Sequence, residues 1–173
     1  MAEEQVILVD ADVREIGVLG KLAAHENGGV RHRAFSVFIV DPQGRWLLQQ
    51  RAAGKYHFPG LWTNACCSHP RPGEATADAA HRRLREELGF DCPLTERFQF
   101  EYQATSAAEG LTEHELDHVF TGTWTGPVAP DPEEVETTRW VEPKALDAEV
   151  RARPNDFTPW FKIALDRVRD VLE

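Results

Sequence analysis

No apolar run in this chain approaches the roughly 20 residues that a helix needs to cross a bilayer. The N-terminus, "MAEEQVILVD", is acidic and lacks the basic-then-apolar layout of a secretion signal. Cysteine is scarce. Its three copies are an odd number, ill suited to a disulfide framework and better matched to a reduced cytoplasm, where the protein is expected to reside. Positive charge is short as well: 19 Lys and Arg stand against 29 Asp and Glu, a formal charge of −10. A field of that sign repels nucleic acid and anionic lipid, so neither nucleic acid nor membrane is an expected partner. An anionic small molecule is compatible with it if a local basic cluster is set against the global field. Internal repeats, low-complexity tracts and interdomain linkers are also missing. Residues 1–173 therefore read as a single domain, in a monomer or weak dimer, with 42% apolar residues to build its core.

What is present alternates between strand and turn, with helices in the middle and at the end. "QVILVD" and "EIGVLGK" read as short strands, and "AFSVFIV", "DPQG" and "RWLLQQR" as the best hairpin in the chain. A loop rich in Gly, Pro and aromatics, "AAGKYHFPGLW", follows. Residues 75–88 favour helix and stop at Gly89, a good C-cap residue. "ERFQFEYQA" and "HELDHVFTGTW" read as strands, with the stretch between Tyr102 and Glu113 as a loop. "TGPVAPDPEE" is a turn, "TTRWVE" a strand, and "TPWFKIALDRVRDVLE" an amphipathic closing helix. The class is mixed α+β.

The run "LWTNACCSHP" raises the first chemical question: adjacent cysteines can be core filler, half of a metal site, or a reactive pair. On a strand, Cys66 and Cys67 point to opposite faces, so one can be core while the other lines a pocket. Cys66 is expected to be core. A structural zinc site is weak because no second Cys-x-x-Cys or His-x-x-His pair has suitable spacing. In "TEHELD" the carboxylates alternate, so Glu113 and Glu115 share one face of a strand and His114 takes the other. With His25, His32 and His69 they offer a nitrogen/oxygen donor set that suits zinc or manganese and contains no thiolate. Scattered surface histidines are the competing explanation. His57, His81, His114 and His118 are read as ordinary surface or structural residues.

The stretch "SHPRPGEATADAAHRRLREELGF" closely resembles the Nudix box, a loop–helix–loop that binds a metal-diphosphate. Anchored on Gly89, it supplies Glu74, Arg82, Leu84, Glu86, Glu87, Gly89 and Phe90 in register. It departs twice: Ser68 stands in place of the first glycine, and Arg83 in place of a glutamate that a pyrophosphohydrolase uses to hold metal and activate water. Taken alone, Arg82–Glu86 and Arg83–Glu87 are also plain i,i+4 surface pairs. With Arg83 in the box, the chain resembles one branch of the superfamily, the type 1 isopentenyl-diphosphate delta-isomerases. Lys21, His25 and His32 in "GKLAAHENGGVRHRAFS", the run "QQRAAGKYHFPGLWTNACCSHP", "FEYQA", "TEHELDHVF" and "FTPWF" carry that resemblance, over roughly residues 5 to 165.

The resemblance implies a Nudix-type fold, with a mixed or antiparallel sheet flanked by helices, and an isomerase acting on a small-molecule diphosphate. It implies Cys67 and Glu115 as the proton-transfer groups, Tyr102 as a partner of Glu115, and Trp160 as the aromatic facing a cation. It implies Lys21, Arg51, Lys55, Ser68 and Arg83 around the diphosphate. It also implies zinc (Zn2+) or manganese (Mn2+) on His25, His32, His69, Glu113 and Glu115, and magnesium (Mg2+) bridging the diphosphate to Glu87. Cys92 receives no role. A nucleotide pyrophosphohydrolase and an inactive Nudix-like binding module are the other two readings.

Overall fold

The computed structural model describes residues 3–172. In chain order it places β1 (Gln5–Val9), β2 (Glu15–Gly20), α1 (Lys21–His25), β3 (His32–Val40), β4 (Trp46–Arg51), β5 (Trp62–Thr63), β6 (Cys66–Ser68), α2 (Thr76–Leu88), β7 (Thr95–Ser106), β8 (Leu111–Thr123), β9 (Val135–Val141), α3 (Pro143–Ala152) and α4 (Pro159–Leu172). No helix among these is long and apolar enough to cross a membrane.

The sheet is mixed, and β3 is its axis. Along one edge β3 pairs in parallel with β8 over its full length, from His32–Glu115 to Val40–Thr123. A strand has only two edges, so its three antiparallel partners share the other: β1 at Leu8–His32, β6 from Phe35–Ser68 to Val37–Cys66, and β4 at Val40–Trp46. The expected β3–β4 hairpin thus parts after one pair, because β4 turns away to pair with β9 and β5. β7 extends the sheet beyond β8.

Register then decides which side chains share a face, since residues directly opposite each other point the same way. One face collects Phe35, Val37, Ile39, Cys66 and Phe120, and α2 covers it with Ala79, Ala80, Leu84 and Leu88. Each of those leucines contributes about 1.5–3 kcal/mol by leaving water. The helix ends where Gly89 takes φ 72°, and a Cβ there would lie 2.9 Å from the Ala129 carbonyl, so the site tolerates only glycine. The other face carries Phe38, Val119 and Tyr102, and α4 covers part of it with Trp160, Phe161, Ala164 and Val168.

Two helices were not expected. α1 has five residues and no side-chain cap, too short for a 3.6-residue period to declare itself. α3 starts on Pro143 and buries only Leu146, so its apolar stripe is one residue wide. The stretch between Tyr102 and Glu113 is mostly strand rather than loop: β7 runs to Ser106 and β8 begins at Leu111.

Candidate active site

β8 sends Glu113, Glu115 and Asp117 to one face, and strand register lines their neighbours up beside them. Glu115 lies between His32 on β3 and Tyr102 on β7. α1 brings His25 over the same face, and His69 follows directly on β6. His25, His32, His69, Glu113 and Glu115 are all buried, and each offers a ligand atom within 4.8 Å of the others. Gly29, at φ 77°, lets the loop after α1 close onto β8 here, where a Cβ would meet the Thr112 carbonyl at 3.0 Å.

The hydrogen-bond partners select the tautomers. His25 Nδ1 donates to the Lys21 carbonyl at 2.6 Å, and His32 Nδ1 to the Val30 carbonyl at 2.7 Å. Carbonyls only accept, so each Nδ1 carries a proton and Nε2 is the ring atom turned toward the cluster. His32 Nε2 is buried and has no hydrogen-bond partner. His25 Nε2 lies 2.9 Å from Glu113 Oε2, and His69 Nε2 lies 3.3 Å from Glu115 Oε1. Burial pushes the His32 imidazole down to about 4 and holds His69 well below its usual range, the latter helped by His32. His25 is raised instead: burial opposes its charged form, but contact with Glu113 outweighs it. Burial drives the Glu115 carboxyl well above the usual carboxylate range, reinforced by Glu113. Glu113 is also penalised by burial, yet its contacts with Glu115, His57 and His25 hold it well below. Burial favours neutral His32 and His69, and His25 Nε2 and the carboxylate oxygens converge beside them; this donor set fits a divalent ion and contains no sulfur.

The "WTNAC" run sets the next group. Asn64 donates from Nδ2 to the Val37 carbonyl at 3.0 Å and to the Cys66 carbonyl at 2.7 Å, which seats β6 against β3. Thr158 N–H donates to the Trp62 carbonyl at 3.0 Å, which fixes the start of α4 and so Trp160. Cys66 is enclosed under α2, and Cys67, opposite Ser36, lines a cleft on the other face with Glu113, Glu115, Tyr102, Lys21 and Trp160. Burial pushes the Cys67 thiol up to about 12, against the pull of Arg51. Asp117 lines the same cleft and accepts from Ser36 Oγ at 2.7 Å; burial raises its carboxyl to about 8.

Arg51, expected at the diphosphate, is bound into the wall of the cleft. Its Nε and Nη2 donate to the carbonyls of Phe58 and His57, both at 3.1 Å, its Nη1 lies 3.9 Å from Cys67 Sγ, and its guanidinium lies 5.4 Å from the Trp160 ring centre. These bonds hold Phe58 at φ 47°, a left-handed conformation that costs a bulky residue about 1–3 kcal/mol.

Lys21, Lys55 and Ser68 line the cleft, whereas Arg83 and Glu87, on α2, do not. Arg83 Nη2 donates to Glu87 Oε1 at 2.6 Å, and Gln49 Nε2 donates to Glu87 Oε2 at 3.0 Å, so each oxygen of this buried carboxylate has one partner. Glu134 joins the two halves by pairing with Lys55 and with Arg83, the latter at 3.4 Å. Arg82 pairs chiefly with Glu74, at 2.8 and 2.9 Å, and only at 3.4 Å with Glu86.

Of the expected site residues, Lys21, Arg51, Lys55, Cys67, Ser68, His69, Tyr102, Glu113, Glu115 and Trp160 line this cleft, His25 and His32 join it through the donor cluster, and Arg83 and Glu87 do not line it. Sequence reasoning missed Asp117, Glu134 and His57. Alternation from Glu113 and Glu115 could have found Asp117. His57, read as an ordinary residue, is buried and packed on His25.

The NUDIX domain profile matches residues 30–161. Protein DR0079 of Deinococcus radiodurans superposes with a TM-score of 0.70 at 20% identity, covering 86% of this chain and 90% of its own. A MutT protein of Methanosarcina mazei Go1 gives 0.68 at 16%, covering 83% and 96%. Identities that low establish the fold alone, and together with the profile they define a Nudix domain. Isopentenyl-diphosphate Delta-isomerase 2 of Aromatoleum aromaticum is 51% identical over 166 residues, 96% of this chain and 87% of the relative. The isopentenyl-diphosphate Delta-isomerase of Serratia proteamaculans is 49% identical over 159 residues, 92% and 88% of the two chains. The chain belongs to the isopentenyl-diphosphate Delta-isomerase family.

Proposed function

We propose that this chain, acting as one domain, interconverts isopentenyl and dimethylallyl diphosphate by moving a double bond and leaving the diphosphate intact. The observation that carries this reading is that Cys67 and Glu115 face the same cleft, with Trp160 and Tyr102 beside them, and that burial raises both the thiol and the carboxyl. An unactivated alkene is a very weak base, so its protonation needs a positioned acid in a site shielded from water.

One member of the Cys67–Glu115 pair delivers a proton to C4, and the C3=C4 π electrons form the new C–H bond. Positive charge develops at C3. The other member removes a proton from C2, and that C–H electron pair becomes the C2=C3 bond. One proton enters and one leaves, with no change of oxidation state overall. Trp160 faces the developing cation, where a π-face is attractive, and Tyr102 attends Glu115. Lys21, Arg51, Lys55, Arg83 and Ser68 hold or frame the diphosphate, opposing the acidic field of the whole chain.

His25, His32, His69, Glu113 and Glu115 would hold zinc or manganese, and Glu87 would serve magnesium. When bound, the first ion would make the Glu115 proton more acidic and the second would offset phosphate charge. Arg83 in place of a metal-binding glutamate leaves a pyrophosphohydrolase without one of its carboxylates.

Turnover in deuterated water tests this function. Deuterium is expected on both C2 and C4 of the equilibrated C5 diphosphates, with no phosphate released. Release of inorganic phosphate or pyrophosphate without isomer formation would overturn it.

A further inference from the structure

The loop between β4 and β5 holds a histidine that the chemistry above does not use. His57 is only 6% exposed, lines the cleft, and stacks on His25 with ring centres 5.1 Å apart. A histidine on a connecting loop ordinarily turns to solvent, so its burial needs a cause. The cause is the next residue. Phe58, at φ 47°, is a strained position held by the two Arg51 hydrogen bonds, and its ring packs edge-on to Trp160 at 5.6 Å. The kink sends Phe58 beneath Trp160 and His57 toward Glu113. Strain that the surroundings over-determine in this way is commonly stored where side chains must be aimed.

The protons follow from the partners. His25 and His32 both donate Nδ1–H to backbone carbonyls, which leaves Nε2 for a ligand. His57 is arranged the other way round. Its Nε2 meets Glu113 Oε1, and its Nδ1 is buried with no partner. Nε2 therefore carries the proton and donates to the carboxylate. Glu113 Oε2 meanwhile faces His25 Nε2 at 2.9 Å. The two oxygens of one carboxylate are thus divided: Oε2 turns to the ligand cluster, and Oε1 is held from outside it. His57 does not itself belong to that cluster. Partners of this kind set the orientation and basicity of the ligands they touch.

We propose that His57 is a positioning residue of the metal centre. By donating from Nε2 to Glu113 Oε1 it fixes which oxygen faces the ion and strengthens the hold on it. The inference rests on the reading of His25, His32, His69, Glu113 and Glu115 as that centre.

The test titrates zinc alone into metal-free full-length protein against a competing chromophoric chelator, with the melting temperature of each metal-free variant measured alongside. His57→Ala is expected to weaken zinc binding about 10–100-fold. His57→Gln, which keeps an N–H donor, is expected to recover most of that loss. Unchanged zinc affinity in His57→Ala overturns the proposal even if the metal-free protein melts lower, because the residue is then packing. Complete loss of the ion with no recovery in His57→Gln also overturns it, because His57 is then a ligand. His32→Ala serves as the separate arm: full zinc affinity there defeats the metal site itself, whereas weakened binding there with unchanged His57→Ala defeats only the positioning role.

Discussion

Cys66 and Cys67 are neighbours in the chain and lie on opposite faces of one sheet. Cys66 shares its face with Phe35, Val37, Ile39 and the leucines of α2, a closed apolar layer. Cys67 shares its face with His32, Ser36, Glu115 and Asp117, all buried and nearly all ionisable. The alternation of a strand separates a layer that stabilises from the layer proposed to react, with one backbone between them. The separation is incomplete at α2, whose apolar stripe serves the first layer while Arg83 and Glu87 reach the rim of the second.

That comparison can be broken in several places. On the reactive face, Glu115→Gln is expected to lower kcat by about 10²–10⁴-fold, the range for a lost acid–base group, with the fold intact by circular dichroism. On the apolar face, Leu84→Ala is expected to cost about 2–5 kcal/mol in denaturant unfolding, while the folded fraction keeps its kcat. A large kcat loss there would mean the two layers are not independent.

Trp160 tests the boundary between packing and chemistry, because it touches both. A buried π-face beside a developing cation contributes about 2 kcal/mol, or roughly thirtyfold in rate. Replacing Trp160 alone with mono-, di- and trifluorinated tryptophans drains the ring while keeping its shape. Log kcat should fall stepwise with fluorine count, and Trp160→Leu should fare worse than Trp160→Phe. A flat series with the fold intact would leave Trp160 as packing.

The smallest effect belongs to Glu74, which ties the loop before α2 to Arg82. Arg82 holds the Glu74 carboxyl below its ordinary 4.5 against the opposing effect of burial. A folded-state value below the unfolded one gives stability that is present above pH 4.5 and lost as pH falls through the folded value. Glu74→Gln should therefore cost about 1 kcal/mol at pH 7, and its gap from the wild type in urea melts should close in acid. A gap that persists unchanged below the carboxylate range would contradict the assignment.

Most of the fold was legible because its strands are periodic or bounded by turns, and because α2 ends on a glycine. The alternation in "TEHELD" placed Glu113 and Glu115 on one face without any knowledge of neighbours. Their meeting with His25, His32 and His69 was one reading of the donor types and was favoured by the resemblance, since no spacing reveals that α1 folds over β8. The early divergence of β4 from β3 was hidden because the pairing of β4 with β9 lies far ahead in sequence. His57 was illegible for a sharper reason: its direction depends on a left-handed Phe58 and on Arg51, neither of which leaves a periodic trace.

The most direct test is to change the two adjacent cysteines separately and read kcat and unfolding free energy for each. The account predicts that Cys67→Ala loses about 10²–10⁴-fold in kcat with stability close to the wild type. Cys66→Ala should keep kcat and lose about 1 kcal/mol of stability. Near-normal turnover in Cys67→Ala, or a kcat loss in Cys66→Ala to match it, would contradict the division of the sheet into a stabilising face and a reacting one.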